Sequence, residues 1–215
     1  MTVVSLKTGN PGTGSATQAV IKLEFSDGSS LLFTKDYLPD ALLSDGEKNA
    51  ALWAVGRELS DGEEEIFLFA AACYRAERIA LRLIARAEQN SLGLMAKLER
   101  RGIDADAAKT VVSCLLDKNL LDDKRYAEYW LHSRLALRTS LSPRLLLIAL
   151  GKRGIDRESS RDTLDKVLDP ETEYALLLRY LEKARLSEDK ERSFLRAQLK
   201  YEGFSYSVLN RYFDN

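Results

Sequence analysis

Two pairs of cations stand at the ends of stretches that read as helices: Arg100-Arg101 directly before Gly102, and Lys152-Arg153 directly before Gly154. Guanidinium and ammonium groups bind phosphates and carboxylates. Together with Arg125, Arg134, Arg138 and Arg144, these four could line a groove for a polyanion or an acidic protein face. A purely local reading covers the same placement, because cations at a helix C-terminus meet the negative end of its dipole. Where the pattern returns a third time it carries Tyr201-Glu202 before Gly203, so any such groove belongs to the first two copies.

Bond-making chemistry finds little support. His132 is the one histidine, and no cysteine or acid stands beside it at ligand spacing. No phosphate-cradling Gly-x-x-x-x-Gly-Lys, nucleophile elbow or His-Glu-x-x-His occurs. Asp122-Asp123 are adjacent carboxylates, but neighbours on a helix point apart, and a capping role explains them. Cys73 and Cys114 each lie inside an apolar helical pattern and read as buried free thiols. The reading is a non-enzyme with no cofactor and no metal.

These residues sit on a repeated frame. Leu94, Leu98, Gly102 and Ile103 recur as Leu146, Leu150, Gly154 and Ile155, and again as Leu195, Leu199, Gly203 and Phe204, with the glycines 52 and 49 residues apart. Leucines four apart share a helix face, and a glycine four later can turn left-handed and stop the helix. The apolar residue after it packs back on the second leucine, and Asp104, Asp156 and Ser205 then cap a following helix. Nine and ten residues past each glycine stand Val111-Val112, Thr163-Leu164 and Tyr212-Phe213, a helical core face. Upstream lie further apolar helices, marked by Ile79, Leu83 and Ala87, by Tyr126, Trp130 and Leu131, and by Tyr174, Leu178 and Leu181. Asn90-Ser91 and Ser142-Pro143 cap the leucine helices of the first two copies. The fold predicted is mainly α, three tandem three-helix units over 76–121, 122–169 and 170–215, in an elongated curved array.

Before the repeats, 1–17 is small and polar and reads as a flexible tail. An extension over 18–75 begins with a β-hairpin, Ile21 to Phe25 and Ser30 to Thr34 about the turn Asp27-Gly28. A short helix is predicted from Glu47 to Leu59, then one beginning after Ser60 that runs unbroken into the first repeat. Net charge is −1 overall but uneven: −6 over residues 1–70, +7 over 71–161 and −2 over 162–215. The basic middle fits a polyanionic or acidic partner, and a solvated helix surface gives the same count. Without a leader or an apolar run of membrane length, the chain reads as cytoplasmic.

The run Leu98-Glu99-Arg100-Arg101-Gly102-Ile103, the stretch Leu120-Leu121-Asp122-Asp123-x-Arg125-Tyr126-Ala127, the Pro143 to Ile155 copy, and Arg192-x-Phe194-Leu195 with Gly203-Phe204-Ser205 together resemble the bacterial RecX regulatory proteins. The resemblance spans roughly 75–215, and the Leu-Asp-Asp-x-Arg-Tyr-Ala stretch is its most specific part. It implies a non-enzymatic modulator of the RecA recombinase. Such a protein binds RecA and the RecA–DNA filament and restrains ATP hydrolysis, strand exchange and co-protease activity in DNA repair and the SOS response. Near-neutral charge departs from the strongly basic members and favours RecA over direct DNA contact. A helix-turn-helix-like DNA-binding module and a helical scaffold for another protein are the alternatives, and the expected state is a monomer.

Overall fold

A computed structural model describes residues 2–9, 19–40, 54–184 and 192–214. The chain gathers into two compact units, one of Met1–Arg86 with Leu94–Lys118, the other of Ala87–Gly93 with Asn119–Asn215.

The first unit opens on a sheet. Strands β1 (Val3–Gly9), β2 (Val20–Phe25) and β3 (Ser30–Phe33) run antiparallel in the order β1-β2-β3. The predicted hairpin is β2–β3, with Ile21 opposite Phe33 and Leu23 opposite Leu31. Its turn holds Gly28 at φ 84°, with the Asp27 carboxylate accepting from the Ser29 N–H. The flexible tail is corrected over residues 3–9, which form β1. Val3 is fully buried there; its N–H donates to the Arg57 carbonyl at 2.9 Å, and the Gly56 N–H donates to its carbonyl at 2.7 Å. Those bonds also overturn the end of the helix predicted over Glu47 to Leu59: Val55 and Gly56 turn, and Glu58 bridges Thr2. Residues 10–17 of the tail and 47–53 of that helix lie outside the described residues.

Helix α1 (Asp61–Ile84) begins with a capping box, Ser60 and Glu63 each satisfying the other's backbone N–H. It runs unbroken into the first repeat, as the absence of Gly and Pro after Gly62 predicts. Phe67, Ala70, Cys73, Ala76, Glu77 and Ala80 recur at helical spacing as its buried face, and Phe67 meets Phe33 of the sheet at 5.4 Å between ring centres. The other helices of the first copy are α2 (Ser91–Glu99) and α3 (Ala105–Asp117). Val111, Val112 and Leu115 of α3 are buried, and α3 packs on α1.

The second unit holds α4 (Asp123–Ala136), α5 (Pro143–Gly151), α6 (Arg157–Val167), α7 (Pro170–Ala184), α8 (Arg192–Tyr201) and α9 (Tyr206–Asp214). One continuous core runs from Ala127 through Leu146, Leu150 and Leu176 to Phe213, so the second and third helix triplets share their apolar interior. Leu178, expected on that interior, is exposed; α7 turns Leu176, Leu177 and Leu181 inward instead.

The three glycine stops have one geometry. Gly102, Gly154 and Gly203 hold φ of 74°, 83° and 89°. The N–H of the following residue reaches back five positions, Ile103 to Leu98 at 3.2 Å, Ile155 to Leu150 at 3.3 Å and Phe204 to Leu199 at 3.2 Å. Each glycine N–H bonds three positions back, to Glu99, Gly151 and Lys200. That is the paired bond pattern of a Schellman stop, which satisfies helix carbonyls that would otherwise lack donors.

Candidate functional site

Local bonding already occupies most of the cations singled out from the sequence. In the first unit, the Arg100 Nε–H donates to the Ala96 carbonyl at 3.1 Å, and an Arg101 guanidinium N–H to the Lys97 carbonyl at 2.8 Å. Both close the end of their own helix. In the second unit, Arg153 does the same to Ala149 at 2.6 Å, and its guanidinium lies 4.4 Å from the centre of the Trp130 ring. Arg134 lies 5.2 Å from that ring, so the structure brings Arg134 and Arg153 together on one aromatic face system. Arg125 pairs with Glu88 and also reaches the Leu120 carbonyl at 3.5 Å. Lys152 is exposed and has no partner among the described residues.

Arg144 explains why the third copy carries Tyr201-Glu202 where the others carry cations. Its guanidinium lies 4.7 Å from the Tyr201 ring centre and 3.8 Å from the Glu202 carboxylate. Its backbone N–H donates to the Glu202 carbonyl at 2.9 Å, while the fully buried Ser142 hydroxyl donates to the Glu202 carboxylate. The stop of the third copy is thereby fastened to the start of α5. The stop of the second copy is fastened to the start of α2 in a parallel way, the Asn90 side-chain amide donating to the Arg153 carbonyl.

Two surfaces remain open among the described residues of the second unit. Between α5 and α6 lies a cleft of about 760 Å³ walled by Leu147, Ile148 and Leu164, with Arg144, Arg157, Arg161 and Tyr201 around it and Asp165 as the one carboxylate among the described residues that line it. Arg157 and Arg161 are four apart on α6, so their side chains share a face. Neither pairs with another described residue. Around a second, shallower hollow stand Arg138, Ser140, Arg179, Glu182 and Lys183. Arg138 sits at φ 52°, a left-handed position that the three helix stops above give to glycine, and the buried Arg179 Nε–H has no acceptor among the described residues. Sequence reading missed Arg157, Arg161, Arg179 and Lys183. The four-residue spacing within each pair was the available signal.

Acids that might have suggested catalysis serve helix ends. Asp122 caps its own helix by accepting from the Lys124 and Arg125 N–H groups, whereas Asp123 accepts from both the N–H and hydroxyl of Ser91 at 2.7 and 2.6 Å. The cap expected from Ser91 at α2 thus involves an acid 32 residues away. His132 is exposed. Cys73 is buried, which pushes its thiol up to about 12, and Cys114 is half-buried. Near them, burial raises the Glu77 carboxyl above its ordinary range although the Lys118 ammonium stands 3.9 Å away. Burial also works against Lys118, but its 2.7 Å hydrogen bond to Asp36 leaves it raised. No cluster of three metal-ligating side chains occurs among the described residues, and no described helix is long and apolar enough to cross a membrane. The α5–α6 cleft offers recognition by cations around an apolar floor, and the second hollow offers charged and polar side chains alone.

A scan against protein-family models finds no match, whereas individual relatives align over most of the chain. The regulatory protein RecX of Treponema pallidum (strain Nichols) is 34% identical over 157 residues, which cover 73% of this chain and 94% of the relative. This chain belongs to the RecX family. RecX of Mycobacterium leprae (strain Br4923) is 30% identical over 156 residues, 70% of this chain and 85% of that one. The fold agrees: a crystal structure of a regulatory protein RecX matches 100% of this chain and 99% of its own length with a TM-score of 0.62 at 18% identity. RecX from Lactobacillus salivarius matches 66% of this chain and 95% of its own with a TM-score of 0.50 at 22% identity. RecX relatives bear the name of regulatory proteins, and a regulatory role is what membership gives this chain.

Proposed function

We propose that this protein binds RecA and the RecA–DNA filament and restrains their ATPase, recombinase and co-protease activities in DNA repair and the SOS response. Family membership at 34% identity over 73% of the chain is the observation that carries the reading. It acts as a non-enzymatic, cytoplasmic monomer, and any DNA contact is through phosphates.

The contacting cations divide by what already holds them. A paired guanidinium must give up its partner before it takes another, so Arg100, Arg101, Arg125, Arg134 and Arg153 bind at a disadvantage. Arg138 and Lys152 have no such partner among the described residues, and Arg157 and Arg161 join them. Arg144 contributes while holding Tyr201 and Glu202 in place.

The test is ATP hydrolysis by RecA of the same organism on single-stranded DNA, titrated with this protein across salt concentrations. Hydrolysis falls at less than one chain per RecA. Unchanged hydrolysis at excess protein would overturn the proposal.

A further inference from the structure

We propose that the groove between β3 and α1 docks an extended acidic segment of a partner protein, which joins the sheet as a fourth strand. The inference stands on the first unit alone and does not depend on RecA being that partner.

The groove has a volume of about 550 Å³, and its walls include Leu32 from the strand and Leu68, Ala72, Arg75, Arg78 and Arg82 from the helix. Strand β3 ends the sheet. The 2.9 Å bond from the Phe25 N–H to the Ser29 carbonyl sets the phase of the β2–β3 ladder. Alternation then turns the backbone groups of Ser30 and Leu32 away from β2, toward the sheet's outer edge. An edge of that kind accepts a further strand.

Charge selects which strand. Among the described residues, three arginines and no carboxylate face the groove, in a chain whose first 70 residues carry net −6. Arg75 gives one N–H to the Gly102 carbonyl at 3.2 Å, and Arg78 lies 5.9 Å from the Tyr74 ring centre. None of the three pairs with an acid among the described residues. Arg78 and Arg82, one helical turn apart, are separated by about 6 Å along the axis. Alternate residues of an extended strand are about 6.7 Å apart. Two carboxylates at alternate positions of a docked strand therefore meet the two guanidiniums in register.

The apolar walls exclude a purely electrostatic ligand. Leu68, 44% exposed, stands on α1 beside Ala71 and Ala72, while Leu32, 42% exposed, lies on the sheet face away from α1, because its neighbour Phe33 is the one that meets Phe67. A docked strand that turns its carboxylates toward α1 turns its other alternate positions to the opposite face, beside the exposed Leu32, where leucine-sized side chains find an apolar neighbour. A nucleic acid would satisfy the arginines but would leave the outer edge of the strand without its ladder, so the observations favour a peptide.

The experiment uses the full chain and a fluorescently labelled octapeptide of alternating Glu and Leu, read by anisotropy. Saturable binding is expected, weakened about tenfold or more by Arg78→Glu with Arg82→Glu, both on the exposed side of α1. Backbone N-methylation of the peptide on its ladder-forming residues removes the binding. Several results would overturn the proposal. One is no saturable binding up to about 1 mM peptide; another is equal binding of the N-methylated peptide. Insensitivity to both Arg→Glu and Arg→Gln pairs, with circular dichroism unchanged, would do the same. Displacement by an oligo-dT strand that itself binds more tightly reassigns the groove to nucleic acid. Peptide binding that emerges only after residues 41–53 are deleted assigns it to this chain's own segment.

Discussion

Replacing each stop glycine by alanine in turn separates two energies that are usually measured together. All three glycines hold positive φ, so Gly102→Ala, Gly154→Ala and Gly203→Ala each incur the left-handed penalty of an L residue, about 1 to 2 kcal/mol. Their surroundings differ. A Cβ at Gly102 meets nothing within 4 Å, so Gly102→Ala costs that penalty alone. A Cβ at Gly154 would come within 2.9 Å of the Leu92 Cβ, an atom rooted in the backbone that cannot swing aside. Overpacking of this kind adds about 1 to 3 kcal/mol, which puts Gly154→Ala at about 2 to 5 kcal/mol. At Gly203 the near atom is the Arg144 backbone nitrogen at 3.3 Å, itself held by Glu202, so a smaller shift suffices and the cost falls between. Urea unfolding of the full-length variants, followed by circular dichroism, gives the order. A Gly102→Ala loss as large as that of Gly154→Ala would refute the steric argument. Three neutral substitutions would refute the left-handed stop itself.

Glu77→Gln should gain stability relative to the parent as pH rises from about 4 to about 8, because a carboxyl raised by burial supports the fold while protonated and withdraws that support as it ionises. Urea midpoints at the two pH values check it, and a constant difference would mean that Glu77 ionises as freely in the fold as outside it. Leu150→Ala should cost about 2 to 5 kcal/mol, since Leu150 is fully buried in the core shared by the second and third triplets. A loss well under 1 kcal/mol would show that the site closes up without a cavity. Glu202→Ala should cost about 1 to 3 kcal/mol, because the buried Ser142 hydroxyl loses its acceptor; thermal unfolding unchanged from the parent would mean that Ser142 finds another partner. For function, Arg157→Ala with Arg161→Ala should raise about tenfold the amount of protein that half-inhibits RecA ATPase, and inhibition that survives unchanged would remove the α5–α6 cleft from the contact surface.

Spacing in the chain was enough to find the helix triplets and their stops, because those features are made within about one turn. Leu98, Gly102 and Ile103 lie within six residues, and the bonds that end the helix join residues three and five apart. A left-handed glycine followed by an apolar residue therefore carries its conformation with it wherever it stands. The β2–β3 hairpin was legible for the same reason. Tertiary structure alone decided the features whose partners are remote. Strand β1 looked like a tail because Val3, Val4 and Leu6 are a short apolar run leading into glycines and small polar residues, and its place depends on Arg57 and Gly56, more than 50 positions on. Asp123 reads as half of a cap for α4 and turns instead to Ser91, and Glu173 reaches Ser205 in the third triplet at 2.6 Å. Tyr201-Glu202 reads as a defect in the repeat until Arg144 and Ser142 are seen against it. The cation pairs at the first two stops were found from sequence, yet the Arg100, Arg101 and Arg153 side chains fold back on their own helices, while Lys152, Arg157 and Arg161 were left open. Which cations a chain leaves unpaired depends on what folding brings beside them, and no local pattern encodes that.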